Sequence, residues 1–200
     1  MIIKIGGPEY LISAAHFLAT AHYIEPLHGH NYLVSLELDY PDLIHGMAAD
    51  FFQVKACLME VIDQLNHKIL LAKKNPYCHL HQEKNQGILE MEVTFPPRKM
   101  RYVFPANQVY LLPQEDTTTE CLLLTIQDLY NDAWKKQPGQ PHTSCKITVE
   151  EAPGRAVAAV WTAPSAATKG ANDQQNMSHG PYHHASAHDL SDNFFTVSDI

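Results

Sequence analysis

Apolar residues recur at two different periods along the chain, and each period predicts a different kind of element. Spacings of three and four over residues 50–65, and again over 117–134, predict two amphipathic helices. Asp50 is a favourable N-cap for the first helix. Thr117-x-x-Glu120 fits a capping box at the start of the second. Glu120 therefore has a structural explanation that is independent of any chemical role.

Alternation of apolar and polar residues predicts strands in much of the remaining chain. The predicted strands are residues 2–5, 10–17, 30–39, 89–95, 100–104 and 147–150. A polar turn separates 89–95 from 100–104, so these two are predicted to form a hairpin. Strands in long antiparallel patterns, set around two helices, favour an α+β fold over a regular βαβ alternation.

The apolar periodicity ends after Trp161, and the composition changes there. Residues 163–200 are rich in Ala, Ser, Asn, Asp and His. Such a segment cannot bury enough apolar surface to offset the entropy lost on ordering. We therefore predict one domain over residues 1–162 and a disordered tail over 163–200.

Composition limits the classes of protein to which the chain can belong. With 45% apolar residues in 200, the chain can bury one sizeable core. A formal net charge of −8 argues against a nucleic-acid partner. The sequence contains neither a stretch of about 20 apolar residues nor the apolar region of a signal peptide, so we expect a cytoplasmic protein that does not enter membranes.

The four cysteines show no CxxC spacing, and we expect free thiols. Cys78-His79-Leu80-His81 contains metal-ligand residue types. It lies in a predicted polar loop, however, and is a weak candidate for a metal site.

Three histidines near the start of the chain form the strongest candidate site. His28 and His30 are two residues apart where a strand is expected to begin, so period 2 places both imidazoles on one face, and Gly29 leaves the other face bare. An antiparallel return of the chain can bring His16 across from the pair. Three imidazoles leave a fourth zinc position open, as in catalytic sites. The alternative is an ordinary strand sequence in a chain with 13 histidines.

Several motifs around these histidines occur together in one known family. Ser13-Ala14-Ala15-His16, followed by Leu27-His28-Gly29-His30-Asn31-Tyr32, resembles the zinc signature of the 6-pyruvoyl-tetrahydropterin synthase family, which includes 6-carboxytetrahydropterin synthases. The other motifs follow in family order over residues 9–161: Gly46-Met47-Ala48-Ala49-Asp50-Phe51, Leu65-Asn66-His67-Lys68, Thr118-Thr119-Glu120 and Val149-Glu150-Glu151.

The resemblance implies a fold, an assembly and a set of site residues. The fold is the T-fold, a four-stranded antiparallel sheet with two helices on one face, which assembles into a trimeric barrel or a hexamer with pterin sites at subunit interfaces. Residues 73–112 resemble an insertion, with a hairpin, that belongs to a subgroup. The implied residues are His16, His28 and His30 for zinc, Thr118, Thr119, Glu120 and Glu151 for the pterin ring, and His67 for proton transfer.

The chain departs from the family pattern at two catalytic positions. Ile24 stands where the family has its catalytic cysteine, and Asn66 replaces the aspartate before His67. Isoleucine cannot transfer protons, and an amide cannot stabilise an imidazolium by charge. Glu25 remains, in a Glu-x-x-His-Gly-His arrangement that resembles paralogues in which glutamate replaces the cysteine. A carboxylate in a partly desolvated pocket can be an effective base.

These observations lead to one leading hypothesis and two alternatives. The leading hypothesis is a zinc-dependent lyase that acts on the side chain of 7,8-dihydroneopterin or its triphosphate and releases 6-hydroxymethyldihydropterin, with Glu25 as the base. The first alternative is a 6-pyruvoyl- or 6-carboxytetrahydropterin synthase in which another residue replaces the thiol. The second is a zinc- and pterin-binding protein without activity.

Overall fold

A computed structural model describes residues 1–137 and 142–162 of the chain, so the predicted disordered tail lies outside the described residues. The elements in chain order are β1 (Ile2–Ile5), β2 (Leu11–His16), β3 (His28–Asp39), α1 (Phe51–Leu65), β4 (Lys68–Ala72), β5 (His79–Asn85), β6 (Ile88–Phe95), β7 (Met100–Pro105), β8 (Val109–Leu112), α2 (Thr119–Lys135), β9 (Ser144–Ala152) and β10 (Arg155–Thr162).

The main sheet is larger than the four antiparallel strands expected from the sequence. Strands β10, β9, β3 and β2 are antiparallel neighbours in that order, and β1 also pairs with β3, beyond the end of β2. Strands β4 and β8 extend the sheet on the β2 side, and both of these pairings are parallel. The α+β class is confirmed, and the sheet is mixed.

Both helices contribute to one hydrophobic core with one face of this sheet. Burial alternates along β2, β3 and β9 as period 2 requires, with the buried apolar side chains of each strand in this core. Asp50 caps α1 as predicted, because its carboxylate accepts from Phe52 N–H at 2.8 Å. Within the described residues, neither helix is long and apolar enough to cross a membrane.

The capping box predicted at Thr117 and Glu120 is wrong. Thr118 is the N-cap of α2, and its hydroxyl accepts from Cys121 N–H at 3.3 Å. The three consecutive threonines make the cap ambiguous in the sequence. Thr117 is drawn away from the helix because its hydroxyl donates to the Phe17 carbonyl at 2.7 Å.

Residues 79–105 form a separate antiparallel sheet with the strand order β5-β6-β7. The predicted hairpin is confirmed as β6 and β7, but β5 lies where we expected a polar loop. Its residues are mostly exposed and polar, so they show no apolar alternation. Gln86 and Gly87, both with positive φ, turn the chain between β5 and β6.

A second hydrophobic core lies beneath this three-stranded sheet. Its buried members are Phe17, Ala19, Leu71, Met91, Val93, Phe95 and Phe104. Strand β4 contributes to both cores, because Leu70 belongs to the main core and the adjacent Leu71 to the second. The second core therefore lies on the opposite side of β4 from the helices.

Candidate metal centre

Strand register brings His16, His28 and His30 together on the helix-facing side of the main sheet. His16 pairs with His28, and Ala14 pairs with His30, in the antiparallel ladder between β2 and β3. One ring nitrogen of each histidine lies within 4.8 Å of the other two, close enough for one ion to contact all three after small side-chain rotations. Among the described residues, this is the one such group, and Cys78, His79 and His81 are not part of it.

Gly29 lies between two of these histidines, where there is little space for a side chain. A Cβ at this position would meet the Ala14 carbonyl oxygen at 3.1 Å and the Ala15 Cα at 3.7 Å. The second distance is an ordinary contact, but the first is tight, and a backbone carbonyl moves aside less easily than the end of a flexible side chain. A larger residue would therefore require a small shift of the Ala14 carbonyl, at the point where the β2–β3 register holds the three imidazoles.

Two backbone carbonyls orient the imidazoles of the cluster. Nδ1 of His16 lies 2.9 Å from the Thr117 carbonyl, and Nδ1 of His28 lies 2.9 Å from the Pro26 carbonyl. A carbonyl only accepts, so in both rings Nδ1 carries the proton and Nε2 carries the lone pair. Such outer hydrogen bonds are typical of metal-binding histidines.

Burial and neighbouring charge favour the neutral, metal-binding form of His16. The residue is 5% exposed, and its Nε2 has no hydrogen-bond partner. Burial lowers the pKa of His16, and the neighbouring His28 lowers it further. A buried lone pair without a partner is costly in a protein interior, and a bound cation would satisfy it. The donor set therefore fits a metal such as zinc, which binds neutral imidazole.

A cavity of about 360 Å³ opens beside the cluster and contains carboxylates. Its volume is in the range of small-molecule sites. Glu25 lies in its wall, with Oε2 3.9 Å from His28 Nδ1 and accepting from Leu18 N–H at 3.3 Å. The lining residues are His16, Leu18, Glu25, His28, Thr118, Thr119, Glu120, Glu151, Arg155, Ala156 and Val157.

Glu151 lies between the histidine cluster and the start of α2. Its Oε2 accepts from the Thr119 hydroxyl at 2.7 Å, and its Oε1 lies 3.2 Å from His30 Nε2. The hydrogen bond from Thr119 is the main cause that lowers the pKa of Glu151, and the charges of His30, His16 and Arg155 act in the same direction. Glu151 is therefore held as a carboxylate that can accept N–H groups from a ligand.

Three residues near the cavity were not identified from the sequence as site residues. Thr117 orients His16, although the sequence indicated a helix cap. Asp116 accepts from Thr117 N–H at 2.8 Å, and burial raises the pKa of this carboxyl, with the charge of Glu25 adding to the effect. Arg155 brings a positive charge into the cavity wall. No local pattern marks Asp116 or Arg155, because chain folding alone brings them close.

The structure does not bring His67 to this cavity. His67 lines a second cavity, and the other residues that line it include Ser13, Asn31 and also His30 of the cluster. The Asn66 side chain accepts from Ser13 N–H at 2.9 Å, so it ties the end of α1 to β2. The implied ring-binding residues Thr118, Thr119, Glu120 and Glu151 do line the first cavity, together with Glu25.

Comparison with known sequences identifies related proteins. The sequence model of the family described as "6-pyruvoyl tetrahydropterin synthase" matches residues 9–161. A relative from Methanocaldococcus jannaschii, named "Putative 6-carboxy-5,6,7,8-tetrahydropterin synthase", is 27% identical over 139 residues, which are 68% of this chain and 81% of the relative. A relative of the same name from Archaeoglobus fulgidus is 34% identical over 64 residues, 32% of this chain and 56% of that protein.

Solved structures show the same fold. The 6-pyruvoyltetrahydropterin synthase of Plasmodium vivax, in a catalytic-residue variant, is similar with a TM-score of 0.73 and 23% identity, over 82% of this chain and 98% of that chain. The Plasmodium falciparum 6-pyruvoyl tetrahydropterin synthase gives 0.72 with the same identity and coverage. The T-fold predicted from the sequence is thus confirmed, and the match over residues 9–161 covers most of the chain. The chain belongs to the 6-pyruvoyl tetrahydropterin synthase family.

Proposed function

We propose that the protein is a zinc-dependent lyase that acts on the side chain of 7,8-dihydroneopterin or its triphosphate. It breaks the bond between the first and second side-chain carbons, so that 6-hydroxymethyldihydropterin is released and the other two carbons leave as an aldehyde. The observation that carries this proposal is the position of Glu25 in the wall of the cavity beside His28. Among the residues that line this cavity there is no cysteine, and Glu25 stands closest in sequence to the position of the family's thiol. Its carboxylate is the group that would move protons on the substrate side chain.

Bound at His16, His28 and His30, zinc would act as a Lewis acid that lowers the pKa of a substrate hydroxyl. Residues around the cluster would keep the metal ligands in a fixed orientation. Thr117 and Pro26 hold two of the rings through their carbonyls. Such fixed ligands keep a substrate hydroxyl at a constant distance from the base, which favours the reaction through proximity and orientation.

Recognition of the pterin ring is proposed for Glu151 and the start of α2. The amino and ring N–H groups of a pterin are donors, and the Glu151 carboxylate offers two acceptor oxygens. Thr119 already donates to Oε2 at 2.7 Å, which fixes the orientation of the carboxylate. Thr118 and Glu120 line the same wall and are proposed as further ring contacts.

A catalytic glutamate has a parallel among the structural relatives. The Plasmodium vivax synthase was solved as a variant in which a catalytic glutamate is replaced by alanine. This parallel supports Glu25 as the base. The name of the Methanocaldococcus jannaschii relative favours 6-carboxytetrahydropterin as the product instead. The absence of a cysteine among the residues lining the cavity argues against a thiol-dependent route to that product.

We propose that His67, which lines the second cavity and not the first, takes part in the reaction through a second copy of the chain. Within the described residues, β10 is the outermost strand of the main sheet on one side, and β1 pairs with β3 alone. Unpaired strand edges favour association, and closure into a barrel removes them. We therefore propose the trimer or hexamer implied by the family, with active sites between subunits.

The test is to incubate zinc-loaded protein and its Glu25→Gln variant with both substrates, and to identify products by chromatography and mass spectrometry. We expect 6-hydroxymethyldihydropterin from the wild type and a loss of about 10²–10⁴-fold in the variant. Glu83→Gln, an exposed carboxylate on β5, serves as the control. Full activity in Glu25→Gln would refute the proposed base.

The same incubation distinguishes the proposed lyase from a 6-pyruvoyl- or 6-carboxytetrahydropterin synthase and from a binding protein without activity. A pyruvoyl or carboxy product would indicate an ordinary synthase of the family with a different base. Zinc and pterin binding without turnover of either substrate would indicate a binding protein.

A further inference from the structure

The residues between His16 and His28 form a short hairpin with two different faces. Ala19 and Ile24 form an antiparallel bridge, and Glu25 N–H donates to the Leu18 carbonyl at 2.8 Å. Leu18 and Glu25 therefore lie opposite each other and point to the other side from Ala19 and Ile24. We call residues 17–25 the Glu25 hairpin.

One face of the Glu25 hairpin lines the metal cavity, and the other belongs to the second core. Leu18 and Glu25 line the cavity. Ala19 is a buried member of the second core, and Ile24 packs against it. A side chain at position 24 is therefore directed to the core, and a side chain at 25 to the cavity. This arrangement gives a physical reason for an apolar residue at the position where the family has its cysteine.

The other half of the second core comes from the three-stranded sheet. The Phe17 ring packs edge-on against Phe95 of β6, with 5.3 Å between centroids, and stacks with Tyr102 of β7 at 5.7 Å. Further buried side chains come from β6 and β7, and Leu71 comes from β4 of the main sheet. The hairpin that carries Glu25 therefore packs on the three-stranded sheet as well as on the main sheet.

Two side chains donate hydrogen bonds to backbone carbonyls of the Glu25 hairpin. One lies between β4 and β5, and the other lies in the turn between β6 and β7. The Asn75 side chain, which is buried, donates to the Ala19 carbonyl at 3.0 Å, and its Oδ1 accepts from Tyr77 N–H at 2.9 Å. The Arg98 guanidinium, in the turn between β6 and β7, donates to the His22 carbonyl. These contacts hold both ends of the loop between the two sides of the hairpin.

We propose that the three-stranded sheet of residues 79–105 is a support that positions Glu25 in the metal cavity, with Asn75 and Arg98 as positioning residues. The part of this inference that concerns catalysis rests on the function proposed above. The sheet itself forms no wall of the cavity, so it acts through the Glu25 hairpin. A base displaced by about 1 Å can lose about 100-fold in rate, so a fixed hairpin has a direct catalytic value.

The first measurement is independent of activity. Backbone hydrogen exchange followed by mass spectrometry is compared in the wild type, Asn75→Ala and Arg98→Ala, with residues 28–39 as the internal reference. We expect exchange in residues 17–25 to rise about fivefold in both variants and to stay unchanged in the reference segment. Asn85→Ala and Arg101→Ala serve as matched controls. They remove an asparagine and an arginine of the three-stranded sheet whose side chains contact Glu90 and Glu92 and not the Glu25 hairpin.

The second measurement separates positioning from general destabilisation. We expect Asn75→Ala and Arg98→Ala to lower kcat about 10- to 100-fold while KM changes less than about twofold. In a Glu25→Asp background, whose carboxylate is already displaced, the same substitutions should lower kcat less than about threefold. A loss of equal size in both backgrounds would mean that the two residues do not act through Glu25, and would overturn the proposal.

The two measurements also distinguish this proposal from the proposed function. If the wild type converts neither pterin, the lyase assignment fails, and hydrogen exchange still decides whether the sheet holds the hairpin. If exchange in residues 17–25 is the same in all variants, the support role is wrong even when the wild type is fully active. The support role is also wrong if the control substitutions raise exchange in residues 17–25 as much as Asn75→Ala and Arg98→Ala do.

Discussion

Zinc should stabilise the folded protein through the histidine cluster, and the size of this effect follows from the ratio of the free zinc concentration to the dissociation constant. At a free zinc concentration 100 times the dissociation constant, binding adds about 2.7 kcal/mol to the free energy of unfolding. For a chain of this length, each kcal/mol raises Tm by about 2–4 °C. We therefore expect Tm to rise by about 5–10 °C when zinc is added to metal-free protein, measured by scanning calorimetry.

His28→Ala is the substitution that isolates the metal contribution. The His28 side chain is 34% exposed, so its truncation should change the Tm of the metal-free protein little. Substitutions in the outer shell of a metal site already lower affinity about 10- to 100-fold, and loss of a direct ligand should cost more. At the same zinc concentration the site is then at most half occupied, and the expected rise in Tm falls to about 1 °C.

A matched control removes a histidine that lies elsewhere. His81 on β5 has a side chain that is 69% exposed and contacts Glu83 at 3.9 Å. The His81→Ala variant should keep the full rise in Tm with zinc. If His28→Ala shows the same rise as the wild type, zinc binds at another place, and the assignment of the metal centre is wrong.

Three further predictions concern the hairpin, a helix cap and a buried histidine. In Ile24→Cys, the new thiol should react slowly with a thiol reagent in the native protein and should not restore activity to Glu25→Gln, because position 24 faces the second core. Asp50→Ala should lower the free energy of unfolding by about 1 kcal/mol in urea titrations, since Phe52 N–H loses its acceptor. Burial lowers the pKa of His142, so the unfolded chain takes up this proton first as pH falls below 6.5. Stability should therefore decline from about pH 6.5 downwards, and less steeply in His142→Phe; equal slopes in the two proteins would contradict this reasoning.

The histidines of the metal centre are held together partly by local strand geometry and partly by contacts between distant segments. Period 2 in β3 was sufficient to place His28 and His30 on one face, because side-chain direction along a strand depends only on local backbone geometry. His16 reaches the pair through an antiparallel return of the chain, which the sequence allowed, and the register that pairs it with His28 is known only from the β2–β3 ladder. The carbonyl that orients His16 belongs to Thr117, 101 residues away, and no local signal indicates it.

Helices and strands with a clear apolar periodicity were predicted from the sequence, and strands without one were missed. Helix α1 and strands β1, β3, β6 and β7 were predicted within a few residues, because each has a clear apolar periodicity. Strand β5 was missed because an exposed edge strand needs no apolar alternation. The strands β4 and β8 were also missed; they are short, and their parallel pairing joins segments that are distant in the chain.

The sequence by itself determined the α+β class, the two helices, the family motifs and the identity of the three clustered histidines. Only the tertiary structure decided that Ile24 and Glu25 face different environments, that Thr117 orients His16 instead of capping α2, and that His67 lines a different cavity from Glu25. The physical reason is that periodicity and capping act over a few residues. Which face of a loop meets a core, and which meets a cavity, depends on the packing of segments that the chain brings together only when it folds.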